Sequence, residues 1–173
     1  MTSAFVLRSL APSSEADIEW VARGMHLTLV EVDGEQGRAN YPIEWTRGRL
    51  REFLDPAKHV AQVFLAVSPD DASAIAGHTI LRLNTMPDGR RYGLVSTTYV
   101  DPAHRRAGIA DALLDRGEAW IRAQGLDEAA TWTSAANVKL IRLYEKHGFA
   151  VTESGEKDGS GMVRLTKPLA DSA

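Results

Sequence analysis

Tyr99-Val100-Asp101-Pro102-Ala103-His104-Arg105-Arg106-Ala107-Gly108-Ile109-Ala110 reads as the end of a strand, a tight basic turn and the first turn of a helix. Pro102 fixes its own φ and disfavours helix at Asp101, so the strand stops there. Two arginines and a glycine follow, where a helix leaves its first N–H groups without partners. Free amides and the positive end of the helix dipole make an anion site. Arginines add charge-assisted donors suited to phosphate oxygens, and a glycine lets the backbone approach a ligand. The stretch therefore predicts a pyrophosphate cradle. The same residues also suit a basic surface turn capping an ordinary amphipathic helix, and a second element further along the chain bears on the choice.

Upstream, three runs joined by short turns (60–67, 74–83 and 92–100) predict strands that pair antiparallel as a meander feeding the cradle. Pro87-Asp88-Gly89 marks one of those turns. Before them come a strand over 5–10 and a helix over 14–29, whose start at Ser14 and Asp17 resembles a capping box. A stretch with little periodicity over 31–41 predicts a long loop, and a second helix opens near Pro42 with Ile43, Leu50 and Leu54 on its apolar stripe.

Downstream, Ile109, Leu113, Leu114, Trp120 and Ile121 give a helix over 108–124, with Gly125 as its C-cap and Gly117 where the helix packs closely on a sheet. A strand over 128–133, a helix over 137–147, a strand over 149–152, a polar turn over 153–161 and a strand over 162–167 complete the chain, with a short tail at Asp171-Ser172-Ala173. The expectation is a single α/β domain over residues 1–173. Its sheet is mixed, mostly antiparallel and seven-stranded, flanked by about four helices.

Composition narrows the function. The chain has 173 residues, a formal net charge of -3 and no cysteine. A sequence pI of about 5.9 argues against bulk nucleic-acid binding. Without cysteine there is no disulfide, thiolate metal site or cysteine nucleophile. The five histidines never fall three or four apart, and no metal-binding motif occurs, so no metal is expected. The N-terminus shows no signal-peptide pattern, and no apolar run reaches membrane-spanning length; a cytoplasmic protein without membrane association is the expectation.

The second element is Asn137-Val138-Lys139-Leu140-Ile141-Arg142-Leu143-Tyr144-Glu145-Lys146-His147-Gly148-Phe149. Asn137 and Tyr144 stand two helical turns apart and so share a face. Together with Arg105-Arg106-Ala107-Gly108-Ile109-Ala110, this block resembles the GNAT superfamily of acetyl-CoA-dependent N-acetyltransferases. The first block is similar to that family's R/Q-x-x-G-x-G/A pyrophosphate loop. The second is similar to its asparagine-led helix that bears a tyrosine and closes on Gly-Phe.

The resemblance implies a cofactor site. The N–H groups of Arg106, Ala107, Gly108, Ile109, Ala110 and Asp111 would hold the pyrophosphate of coenzyme A, with charge from Arg105 and Arg106. Tyr99 and Val100 would offer backbone groups to the pantetheine arm, one N–H polarising the thioester carbonyl. Asn137 would bind the arm, and Tyr144 would be the catalytic acid that protonates the departing thiolate. The strands of Tyr99 and Trp132 would splay apart around the arm. The implied reaction is direct acetyl transfer to a primary amine of a small molecule in a ternary complex.

The chain departs from the family pattern at Arg106, Ala107 and Ala110, and more seriously where many relatives carry an acid on the strand before the cradle. Here that strand reads Ser96-Thr97-Thr98. Glu31, Glu35, Glu44 and His78 are the candidate bases, with a water chain as the other route. Glu31, Asp33 and Glu35 are also candidates for attracting a cationic acceptor. An acceptor on protein N-termini or lysines, and a non-catalytic acyl-CoA-binding module, are the alternative readings. Tyr41 and Trp45 are candidates for either an acceptor pocket or a homodimer contact.

Overall fold

The meander forms as expected and becomes the centre of a larger sheet. The computed structural model describes residues 4–157 and 160–169, with 32, 33, 157 and 160 by backbone alone. Its elements are β1 (Val6–Ser9), α1 (Glu15–Asn40), α2 (Ile43–Phe53), β2 (Ala61–Ser68), β3 (Asp71–Thr85), β4 (Arg91–Val100), a 3-10 turn (Pro102–His104), α3 (Ile109–Ala123), β5 (Glu128–Ser134), α4 (Val138–Lys146), β6 (Ala150–Lys157) and β7 (Ser160–Pro168). The seven strands lie in the order β1-β2-β3-β4-β5-β7-β6. All neighbours run antiparallel except β4 and β5, which are parallel.

Helices cover both faces, so the central strands are apolar on both sides. Val63 and Leu65 of β2 pack with Ile18, Val21 and Met25 of α1 and Leu50 of α2. Phe64 and Ala66, pointing the other way, join Leu113 and Ile121 of α3 and Tyr144 of α4. Gly117 does lie where α3 meets the sheet: a Cβ there would stand 2.8 Å from Leu81. At the entry to α1, Ser14 Oγ accepts from Asp17 N–H (3.1 Å), as the sequence suggested. The Asp17 carboxylate instead takes a two-pronged contact from Arg8 (2.8 and 2.9 Å), and that guanidinium holds its carboxyl below the usual aspartate range. The same guanidinium donates to Ala72 O, which ties α1 to β1 and the start of β3.

The expected loop over 31–41 is helix. α1 runs on to Asn40 and bends at Gly34 (φ 58°, ψ −134°). Of residues 34–40 only Gly37 is buried, so this extension carries no apolar stripe for periodicity to detect. Its end is tied down by Tyr41 N–H to Gly37 O (3.0 Å) and by His26 Nδ1 against Tyr41 O (2.7 Å). The backbone at Gly34 is open to glycine and strained for any L side chain, while nothing lies within 4 Å of where a Cβ would stand. Gly34→Ala should therefore cost about 1–3 kcal/mol through the backbone alone, measured as a lower denaturant midpoint at unchanged m-value.

The polar turn over 153–161 is also shorter than expected, because β6 and β7 extend into it as arms of a hairpin paired from Ala150 with Thr166 to Lys157 with Ser160. The Asp33 side chain and the tail at Asp171-Ser172-Ala173 lie outside the described residues.

Candidate active site

The site begins where the sheet opens. β4 and β5 pair at only two positions, Gly93 with Ala129 and Leu94 with Ala130. Immediately beyond, the β3–β4 register slips: Ile80 faces Thr97 and Leu81 faces Val95, so Ser96 is the extra residue of a bulge. A bulge bends and twists its strand, which turns β4 away from β5. Thr131 Oγ1 donates to Val95 O (2.8 Å) at the base of the opening. The strands of Tyr99 and Trp132 thus diverge, as the resemblance implied.

One cavity, of about 420 Å³, lies between the end of β4 and the start of α3. Tyr99, Val100, Arg105, Arg106, Gly108, Ile109, Ala110, Asp111 and Asn137 all line it; Ala107 is exposed and stands outside the lining. Gly108 caps α3 in the left-handed conformation (φ 80°), and Arg106 also has a positive φ (65°). Arg106 is the only non-glycine residue to do so among those described, a conformation tolerated by few side chains. The first bond back into α3 is Ala112 N–H to Gly108 O (3.1 Å), which leaves the amides ahead of it without helical partners.

Arg105 is not aimed into this cradle alone. Its Nη2 donates to Glu31 Oε1 (2.7 Å) and its Nε to Val100 O (2.9 Å). Glu31, from α1, lines the same cavity, as does Lys139 of α4, a cation the sequence reading left out. The Asp111 carboxylate meets His147 Nε2 (2.7 Å) and Lys146 Nζ (3.1 Å), and the His147 contact above all holds its carboxyl below the usual range. Asp111 therefore joins α3 to the end of α4 through its side chain, leaving its N–H for the cavity.

A second cavity, of about 400 Å³, continues from the first. Thr28, Thr98, Asn137 and Leu140 line both. Asn137 caps α4, its Oδ1 accepting from Leu140 N–H (3.3 Å), and so combines the capping role with a place on the shared wall. Tyr144 lines the second cavity and is 1% exposed. Its hydroxyl meets the side chains of Thr131 and Thr98, one from each diverging strand, and burial pushes its pKa up. The ring packs edge-on against Phe149 at 5.1 Å. The two threonines were not singled out by sequence; the triplet Ser96-Thr97-Thr98 was notable there only for lacking an acid.

The candidate bases separate clearly. Glu31 is paired with Arg105 on the wall of the first cavity. Glu35 is exposed and lies 3.6 Å from Arg38, and Glu44 is exposed on α2. His78 is fully buried behind Tyr99, its ring near Trp20 and its Nε2 3.0 Å from Thr97 Oγ1. Burial pushes its pKa down to about 3. None of the four lines the second cavity.

A sheet split at a parallel pair, with a glycine-capped helix start at one end of the split, is the arrangement the sequence resemblance implied, and comparison with known proteins agrees. The model of the Acetyltransferase (GNAT) family matches residues 22–149, and the chain belongs to that family. Among curated relatives, the mycothiol acetyltransferase of Salinispora arenicola (strain CNS-205) is 32% identical over 146 residues, covering 83% of this chain and 44% of that protein. The chain thus spans less than half the length of that relative. The aminoglycoside N(6')-acetyltransferase type 1 of Serratia marcescens is 30% identical over 109 residues, covering 62% of this chain and 73% of that protein. A putative GNAT-family acetyltransferase from Desulfovibrio desulfuricans superposes with a TM-score of 0.72 at 19% identity, over 96% of this chain and 100% of the other. The PaiA N-acetyltransferase of Thermoplasma acidophilum, solved in complex with coenzyme A, gives 0.66 at 19% identity, over 97% and 99%. At these identities the two structures speak for the fold.

Proposed function

We propose that the chain transfers the acetyl group of acetyl-CoA to a primary amine of a small molecule by direct attack. The observation that carries this reading is Tyr144. Its buried hydroxyl stands between Thr98 and Thr131, at the opening of the sheet, on a cavity continuous with the cradle at the start of α3. The two named relatives, acetyltransferases of mycothiol and of an aminoglycoside, support a small-molecule acceptor.

Acetyl-CoA would supply an activated acetyl thioester. The cradle fits its anionic end, with free amides, a left-handed glycine and the cations Arg105, Arg106 and Lys139 lining the cavity. The edge of β4 released by the bulge offers backbone groups along the opening, one N–H serving as donor to the carbonyl oxygen. The amine forms the new C–N bond as the C–S bond breaks. Tyr144 Oη holds the proton that passes to the departing sulfur, while the amine's own proton leaves to water. Fixing both partners in adjoining cavities supplies much of the rate.

A thermal-shift titration with acetyl-CoA, free CoA and NAD tests the reading first. Stabilisation by both CoA forms, growing as RT ln(1 + [L]/Kd), and none by NAD is the expected result; no shift with either CoA form refutes it. Arg105→Ala should raise KM for acetyl-CoA by about tenfold, the scale of one charge-assisted contact, with the acceptor's KM unchanged. Steady-state kinetics with each substrate varied in turn decides, and an effect confined to the acceptor refutes the cradle assignment.

A further inference from the structure

The two cavities differ in charge. The first is lined by ionisable groups of both signs, among them Glu31, Arg105, Arg106 and Lys139. Among the described residues lining the second there is no Asp, Glu, Lys, Arg or His. Its hydrogen-bonding wall is neutral: Gln36 and Asn40 from the bent end of α1, Ser96 at the bulge, and Thr133 and Ser134 from β5. Its apolar surface combines Leu29, Leu140 and Met162 with aromatic rings, among them the 42%-exposed indole of Trp132. The phenol of Tyr41, 4.8 Å from the ring of Trp45, lines it as well.

Resting on the acetyltransferase reading above, we propose that the acceptor is a hydroxyl-rich ring amine of the amino-sugar type, uncharged apart from its one reacting amine. Amide and hydroxyl side chains can each donate and accept, as sugar hydroxyls do, so the two complete each other's hydrogen bonds. The flat indole face suits the apolar face of such a ring. A polycation would leave extra ammonium groups next to neutral dipoles with no carboxylate among the described lining residues to pair them, and an acidic acceptor would find no cation among them. Discrimination follows from what the wrong acceptor leaves unpaired.

The test is a panel of acceptors at saturating acetyl-CoA: glucosamine, galactosamine and methyl α-glucosaminide against spermidine, kanamycin and a trialanine peptide. The amino sugars should exceed the other three in kcat/KM by at least about tenfold. Trp132→Ala should raise KM for the best amino sugar about tenfold with a smaller change in kcat and none in KM for acetyl-CoA, and Trp132→Phe should recover most of the loss. Spermidine, kanamycin or trialanine matching the amino sugars overturns the proposal. So does an unchanged acceptor KM in Trp132→Ala. If acetyl-CoA binds in the thermal-shift assay and no amino sugar reacts, the acceptor class is wrong while the parent reading stands. If acetyl-CoA does not bind, both fall.

Discussion

Tyr144→Phe should lower kcat by about 10²-fold and leave KM for acetyl-CoA nearly unchanged. The substitution removes one oxygen from a ring that is otherwise held by packing against Phe149. Thr131 keeps its bond to Val95 O, and Thr98 keeps its contact with Thr79 Oγ1 (2.9 Å). The structural cost should thus be that of one hydrogen bond, about 1 kcal/mol. A loss of kcat with a melting temperature within a few degrees of the parent therefore isolates the proton-donating role. An unchanged kcat shows that Tyr144 only fills the opening between the strands. The pH profile gives a second readout. Burial raises the phenol's pKa, so the acid form persists throughout neutral and mildly alkaline pH. No decline in kcat assignable to this group should appear below about pH 10, the ordinary tyrosine value.

The second large effect is on stability. His78 has an ordinary value of 6.5 and a folded value of about 3, because the buried ring resists protonation. The unfolded chain takes up a proton near pH 6.5 and the folded chain does not. The stability at neutral pH is therefore full above about 6.5 and declines as pH falls towards 3, by about 1.4 kcal/mol per unit. Between pH 6.5 and 4 the loss should reach about 3 kcal/mol. Asp17, held ionised by Arg8, adds a loss in the same direction only lower, as pH falls below its ordinary 3.8. Urea unfolding at a series of pH values reads the slope, and His78→Gln should flatten it across pH 4–6.5 whatever its own stability at pH 7. A parent slope near zero in that window, or no flattening in the variant, refutes the assignment. The buried geometry explains the neutral ring. With its hydrogen on Nε2 it donates to Thr97 Oγ1, and only a lone pair stays unpartnered at Nδ1.

His78 also shows why a sequence gives a poor list of bases. In one dimension it is a titratable residue in a strand near the site. In the fold it sits beneath Tyr99, where burial resists the positive charge it would gain on taking a proton. Glu31 misleads in the opposite sense. It reads as a solvated loop acid, yet the unforeseen extension of α1 makes it a helical residue bonded to Arg105, 74 positions away. Neither contact leaves a local trace.

Much was legible because it is local. Pro102 stops a strand, Gly108 and the arginines mark a helix start, and Asn137 and Tyr144 share a helix face; each follows from backbone sterics or the 3.6-residue period. The alternating and apolar runs likewise yielded all seven strands and the antiparallel meander. What the tertiary structure alone decided are the long-range meetings. The Ser96 bulge is visible only as a slip between β3 and β4. Thr98 and Thr131 both meet the Tyr144 hydroxyl of α4, from strands that part after two paired residues. The charge contrast between the two cavities belongs to no single stretch, since α1, β4, β5 and α4 each contribute a wall. Sequence patterns record which way each residue faces on its own element; which elements then face one another is set by packing of the whole sheet.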